Sequence, residues 1–307
     1  MLAWRPMKRY SAPMLPPRHP LSRLLPGRGT RRRLALGLPT VLGLCRRGFF
    51  IPYRYAGSLP EAGQRPPYTA LEKLFNARKP AFAELLDAID GFAAELEAIG
   101  GDPPPAPRWT QGWFPRLDAA AAYTLLRRLV PARVVEIGSG HSTRFLARAI
   151  ADGGLATRLT AIDPAPRADI AGIAAEMLPM TVQAAGLAPF GGLVRGDVLS
   201  IDSSHILMPG SDVDLLLNVI LPSLPAGVIV HLHDIFLPDD YPGDWDWRGY
   251  NEQLGVAALI QGGGYEILWA SRYVATRMAG ALAETVLARL PLRDDAFEAS
   301  LWLRKRA

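Results

Sequence analysis

Cysteine is almost missing from this 307-residue chain, and Cys45 alone cannot close an internal disulfide, so a disulfide-stapled scaffold is excluded. Long apolar runs are missing too. The longest, Leu34–Leu44, is interrupted by Gly37, Pro39 and Gly43 and falls short of the ~18–20 residues of a membrane-spanning helix. Arginines precede this run, as in a signal peptide, but Arg46 and Arg47 follow at once and no small-residue cleavage site stands behind them, so export is not expected. Lysine occurs four times against thirty arginines. The most informative gap is acidic: the first 60 residues hold no Asp or Glu and 12 Lys+Arg. The net charge of +5 therefore averages a basic arm with a body of 22 basic against 29 acidic residues. With 49% hydrophobic residues, the chain is neither disordered nor fibrous as a whole and can bury a large core.

What is present has order. Residues 1–60 read as a basic arm, partly disordered, with 1–33 rich in Arg and Pro and poorly periodic. Residues 61–118 read as a helical cap and connector. Phe82, Leu85, Leu86, Ile89, Phe92, Ala93, Leu96 and Ile99 form one apolar stripe, Gly100-Gly101 stops it, and the prolines of 103–107 form a stiff link. These helices are expected to roof the ligand edge described below. Residues 119–307 alternate short apolar runs (133–137, 159–162, 181–183, 197–201, 227–232, 265–269, 299–303) with helical stretches at 119–129, 142–151, 168–177, 212–221 and 250–261. The fold class is α/β: a Rossmann-like, doubly wound, mostly parallel seven-stranded sheet with helices on both faces and an N-terminal helical extension. In such sheets ligands bind at the carboxyl ends of the strands, so function is sought just after each strand.

The first strand runs Arg133-Val134-Val135-Glu136-Ile137 into Gly138-Ser139-Gly140 and a helix opened by His141-Ser142-Thr143. Gly138 and Gly140 permit a tight turn and close approach of a ligand, and Ser142 or Thr143 can cap the helix. A dinucleotide fingerprint wants a third glycine where Thr143 stands and gives no reason for Glu136. Here the chain resembles the class I S-adenosylmethionine-dependent methyltransferases, whose first motif is E-x-G-x-G. The resemblance implies that Glu136, Gly138, Ser139, Gly140 and Asp163, the acid closing the second strand, bind S-adenosylmethionine. Gln183, at the end of a third strand expected over Met180–Gln183, is assigned to the adenine side, and Asp202 to the cofactor as well. Asp197 opens its strand and is rejected for that role.

Two more strand ends carry chemistry. The fourth ends Ile201-Asp202-Ser203-Ser204-His205, the fifth Val230-His231-Leu232-His233-Asp234-Ile235-Phe236. These motifs are similar to those of metal-dependent O-methyltransferases of the catechol and macrolide-sugar types. The resemblance implies catalytic roles for His205, as base, and for His233 and Asp234, with Asp202, His233 and Asp234 as ligands of a divalent metal (Mg, Mn or Fe). The chain departs from the catechol type at Ile235 and from the sugar type at His233. I-D-S-S-H together with H-x-H-D-I-F-L-P resembles a bacterial methyltransferase group, as do Tyr241-Pro242, Tyr250-Asn251-Glu252-Gln253 and Gly112-Trp113-Phe114-Pro115. Alternatively, His205 and His233 are structural or bind substrate directly.

The expected activity is O-methylation of a small-molecule or sugar hydroxyl, with Leu237–Tyr250 forming the acceptor wall or lid. The competing readings are an NAD-linked oxidoreductase and a noncatalytic protein holding an anionic partner through its arm. No specific nucleic-acid partner is expected, because the arm holds no reading motif and the body is acidic. The expected location is cytoplasmic, with peripheral membrane contact through the arm as an option. The oligomeric state is left open.

Overall fold

The computed structural model describes residues 27–173 and 176–306. The chain divides into two compact units, Met1–Leu59 and Pro60–Ala307. In the first, helix α1 spans Arg28–Val41 and carries Pro39 in its last turn, where Thr40 Oγ1 donates to the Leu36 carbonyl at 2.9 Å. Arg31, Arg32 and Arg33, expected in a poorly packed stretch, are thus helical, because an unbroken Arg/Leu/Ala run favours helix. Residues 1–26 of the expected disordered arm lie outside the described residues.

The second unit opens with α2 (Thr69–Asn76), α3 (Lys79–Asp90), α4 (Ala93–Glu97) and α5 (Arg116–Leu129). Pro80 starts α3, as its fixed φ favours at a helix N-terminus. The single stripe expected from Phe82 to Ile99 is split at Gly91, but Phe82, Leu85, Leu86, Ile89, Leu96 and Ile99 are all buried. α3 packs against α5 and the sixth strand, with Phe82 on Trp269 and Tyr273. What meets the loop beyond the fifth strand is the stretch before α2, where Gly63 and Arg65 bond Asp240 and the Tyr68 N–H donates to the Pro238 carbonyl.

The sheet has seven strands in the order β3-β2-β1-β4-β5-β7-β6. They are β1 (Arg133–Ile137), β2 (Arg158–Ile162), β3 (Glu176–Leu178), β4 (Val198–Ile201), β5 (Ile229–Leu232), β6 (Tyr265–Ala270) and β7 (Leu301–Lys305). β1 to β5 pair in parallel, and β7 lies antiparallel between β5 and β6. β1 lies between β2 and β4, so the strand order reverses at β1/β4 and the ligand crevice is expected there. Helices α6 (His141–Asp152) and α10 (Glu252–Gln261) follow β1 and precede β6; α8 (Asp212–Leu215) runs through a π-helical turn, Leu216–Ile220, into α9 (Leu221–Ser223).

Two sequence expectations fail beside β3. The third strand is Glu176–Leu178, not Met180–Gln183, and Gln183 lies exposed on the short helix α7 (Val182–Ala185), which Thr181 caps through its side chain. The helix expected over 168–177 is not found among the described residues: 168–173 run through bends and turns, with Gly172 at φ +77°, and Glu176 and Met177 belong to β3. An edge strand of three half-buried residues has no long apolar run to announce it. The last strand begins at Leu301 rather than 299, because Ala299 and Ser300 are held in place by Asp118.

Candidate active site at the switch point of the sheet

The glycine turn closes the crevice. Gly138 has φ +74°, and a Cβ there would overlap the carbonyl oxygen of Asp202 at the end of β4. Gly138→Ala should therefore lose the packing of β1 against β4 as well as the ~1–3 kcal/mol of backbone strain typical of a non-glycine at that φ. Urea melting checks this, and an unchanged midpoint would show that the two strand ends can part. Thr143, noticed in the sequence as a missing glycine, has a positive role. It accepts from the Gly140 N–H at 2.9 Å and donates to Glu136 Oε2 at 2.5 Å.

Glu136 is fully buried and its Oε1 has no partner. Burial pushes its carboxyl up to about 7, against the opposing hydrogen bond from Thr143. Asp163, just past β2, grips the same turn: its Oδ2 accepts from the Ser139 N–H at 2.6 Å and Oγ at 3.2 Å, and its Oδ1 from the Ala165 N–H at 2.7 Å. Glu136, Gly138, Ser139, Gly140, Asp163 and Asp202 are thus brought together. Gln183 loses the strand-end position on which its adenine assignment rested.

β4 and β5 deliver the polar cluster. One ligand atom from each of Asp202, His233 and Asp234 lies within 4.8 Å of the others. His233 Nδ1 is buried without a hydrogen-bond partner, 3.7 Å from Asp202 Oδ1 and 3.5 Å from Asp234 Oδ1. Its Nε2 is held at 3.2 Å by Asp118 Oδ2, from the first turn of α5. His205 Nε2 stands 3.1 Å from Asp202 and 3.6 Å from Asp234, and its Nδ1 is 2.9 Å from Glu252 at the start of α10. Each histidine therefore has one nitrogen anchored by a carboxylate behind it and the other aimed into the cluster, as in ligating or proton-transferring imidazoles.

The backbone is strained at this point. His205 (φ 62°) and Asp234 (φ 56°) are two of three non-glycine residues with left-handed backbone among the described residues. Such conformations persist where the surroundings over-determine them. Burial would lower the pKa of His205, but its bonds to Asp202 and Glu252 and the charge of Asp234 outweigh this and raise it well above the usual histidine value. For His233 burial is likewise outweighed, by Asp234, Asp118 and Asp202, and its pKa is also raised. The surrounding carboxylates therefore favour the protonated form of both rings. Asp202 is held well below the carboxylate range, its burial outweighed by His205 and His233, whereas burial pushes Asp234 up.

His231 belongs to the core instead. It bonds Ser200 Oγ and Ser300 Oγ at 2.9 Å and stacks on Trp302, and burial drives its pKa down to about 3.

Sequence reasoning missed Asp118 and the role of Glu252. Asp118 sits in a helix before β1, three residues beyond the Gly112-Trp113-Phe114-Pro115 motif but outside it. Glu252 was visible only within the run Tyr250-Asn251-Glu252-Gln253, each of whose members proves to have a task. Tyr250 lies 4.4 Å from the His205 ring, Asn251 clamps both backbone groups of Leu207, and Gln253 bonds the Phe236 N–H and the Asp239 carbonyl. Beyond them Phe236, Tyr241, Trp245, Tyr250 and Phe297 form an aromatic cluster in the expected acceptor segment and its neighbour.

Residues 135–235 match the family described as a methyltransferase domain. No curated protein matches the chain. It is similar to a putative O-methyltransferase from Klebsiella pneumoniae at 13% identity and a TM-score of 0.38, covering 78% of this chain and 96% of that one. The Streptomyces achromogenes O-methyltransferase TomG, solved with its cofactor, is 14% identical at a TM-score of 0.39, with coverage of 73% and 90%. The SAH-bound Podospora anserina methyltransferase PaMTH1 has the same identity and TM-score, with coverage of 85% and 100%. The family match starts within β1 and ends one residue past Asp234, so it takes in Glu136, Asp163, Asp202, His205 and His233. The chain thus holds a segment similar to the methyltransferase domain, set across the switch point of a seven-stranded, mostly parallel sheet.

Proposed function

We propose that the protein methylates a hydroxyl oxygen of a small-molecule or sugar acceptor, with a divalent cation held by Asp202, His233 and Asp234 and with His205 as the base. The observation that carries the cation is His233: one nitrogen fixed by Asp118, the other buried, unpartnered and facing two carboxylates. Two carboxylates and an imidazole suit Mn²⁺ or Fe²⁺ better than Mg²⁺, which prefers an all-oxygen shell. The cofactor fits the other half of the site, since the unpartnered Oε1 of Glu136 offers a buried anionic acceptor to a cationic ligand.

S-adenosylmethionine, when bound, supplies an electrophilic methyl on a positively charged sulfur. Glu136 holds the cationic ligand, and Asp163, beside the turn, is placed to accept from ribose hydroxyls. Displacement at methyl is in line, so the chain's main task is positioning, which the fixed ends of β1, β4 and β5 accomplish. A cation held by Asp202, His233 and Asp234 would supply Lewis acidity toward the acceptor hydroxyl. His205, its ring fixed through Nδ1 by Glu252, takes the acceptor proton at Nε2. The aromatic cluster around Tyr250 offers faces against which a sugar or ring can stack.

The test uses a panel of catechols and free sugars with radiolabelled S-adenosylmethionine. Transfer should fall at least ~100-fold on exhaustive chelation and return with Mn²⁺, Fe²⁺ or Mg²⁺, and His205→Ala should cost ~10²–10⁴ in rate. Full activity after chelation removes the cation; full activity of the variant removes the base. Calorimetry should give heat with S-adenosylhomocysteine and none with NAD; the reverse would restore the oxidoreductase reading.

A further inference from the structure

We propose that the segment from α1 to Leu59 is an in-plane anchor for an anionic lipid bilayer, a function independent of methyl transfer. Leu34, Leu38 and Val41 recur at helical spacing on α1, Leu42 follows as its C-cap, and all four are 48% to 67% exposed, so a stripe that would ordinarily be buried is left solvent-accessible. Phe50 and Ile51, beyond the helix, are more than 60% exposed. Between residues 27 and 59 there are seven arginines and no acid, which gives the segment one sign of charge along its whole length. Arginines precede the stripe at 31–33 and follow it at 46–47, so cationic groups bracket the apolar face at both ends.

The combination selects the partner. An acidic protein surface, including the body of a second copy, would match the arginines but leave the aliphatic stripe in water. A single nucleic-acid strand would offer stacking to Phe50 but nothing to Leu34, Leu38 and Val41. A bilayer with anionic headgroups meets both demands: phosphates for the guanidinium groups, acyl chains for the leucines. The geometry also sets the mode. α1 has 14 residues and is about 21 Å long, too short to span a hydrocarbon core of about 30 Å, and no described helix is long and apolar enough to cross a membrane. The helix therefore lies along the surface.

Co-sedimentation of the full chain with vesicles tests this, comparing pure phosphatidylcholine with phosphatidylcholine containing roughly 30 mol% phosphatidylglycerol. The protein should partition at least about tenfold more strongly onto the anionic vesicles. The triple variant Leu34→Glu/Leu38→Glu/Val41→Glu and the double variant Arg46→Glu/Arg47→Glu should each lose at least about tenfold of that partition while binding S-adenosylhomocysteine as before. The anchor is overturned if either variant partitions like the parent or if both vesicle types bind equally. It is equally overturned if the substitutions abolish RNA retention or self-association in a chain that ignores vesicles.

Discussion

Asp118→Ala should destabilise the cation-free protein by about 3–5 kcal/mol, the range for removing one partner of a buried charged pair. Asp118 is completely buried and accepts from the Ala299 N–H at 3.0 Å, the Ser300 N–H at 2.9 Å and His233 Nε2 at 3.2 Å. Alanine leaves two buried N–H groups and an imidazolium without an acceptor, and it frees the entry to β7, the strand that pairs β5 with β6. His233→Ala is the informative contrast, because it leaves the two backbone bonds to Asp118 in place. It should cost less stability, yet lower cation affinity by more than the ~10–100-fold typical of losing an outer partner. Denaturant titrations after chelation, with manganese titrations alongside, check both. A loss below ~1 kcal/mol for Asp118→Ala would show that the pair is not a structural element.

The pH window of this effect follows from the two shifts. Burial would raise the Asp118 carboxyl, but the hydrogen bond and charge of His233 bring it below its ordinary value. Its contribution is therefore complete above the unfolded value of ~3.9 and is lost as pH falls through the lower folded value. His233 is raised, so its contribution is complete below ~6.5 and is lost as pH rises through the higher folded value. The gap between the parent and Asp118→Ala should be widest between about pH 4 and 6.5.

Glu136→Gln should have the opposite signature, gaining stability while losing function. The Glu136 carboxyl is raised from 4.5 to about 7, chiefly by burial. The unfolded chain therefore gives up the proton first, and stability falls as pH rises from 4.5 to about 7. Two and a half units correspond to about 3 kcal/mol of cost that persists at pH 8. Glutamine keeps an oxygen for Thr143 and cannot ionise. The ligand-free variant should then be more stable than the parent at pH 8 and gain nothing below pH 4. It should also bind S-adenosylmethionine at least about tenfold more weakly, because the buried charge that meets the cation is gone. Thermal melting at the two pH values and calorimetry check the pair of effects. Unchanged affinity would take Glu136 out of the cofactor site.

Most of the sheet was legible because β1, β2, β4 and β5 are short, mostly apolar runs, buried beyond any exposed first residue, with a polar group in or just after the last residues of each. β3 was not, being an edge strand of three half-buried residues whose neighbour Thr181 caps a helix. The candidate site divides in the same way. Glu136, Asp163, Asp202, His205, His233 and Asp234 each follow or end a strand, so the rule for ligand edges found them. Asp118 and Glu252 reach the histidines from helices 115 and 47 residues away in sequence, and nothing local, not even the run around Glu252, says that they pair with those rings.

The sequence by itself determined the alternating α/β plan, the strand ends where chemistry had to lie and the separation of an acid-free arm from an acidic body. These are properties of periodicity and composition, which are local. Only the tertiary structure decided what the polar groups do, because protonation and ligation depend on distance and burial across strands. It left Glu136 with an unpartnered oxygen, turned Thr143 from a missing glycine into a brace and placed His231 in the core. It also tied His233 and His205 to carboxylates on two separate helices, α5 and α10, which sets one nitrogen of each ring facing Asp202 and Asp234.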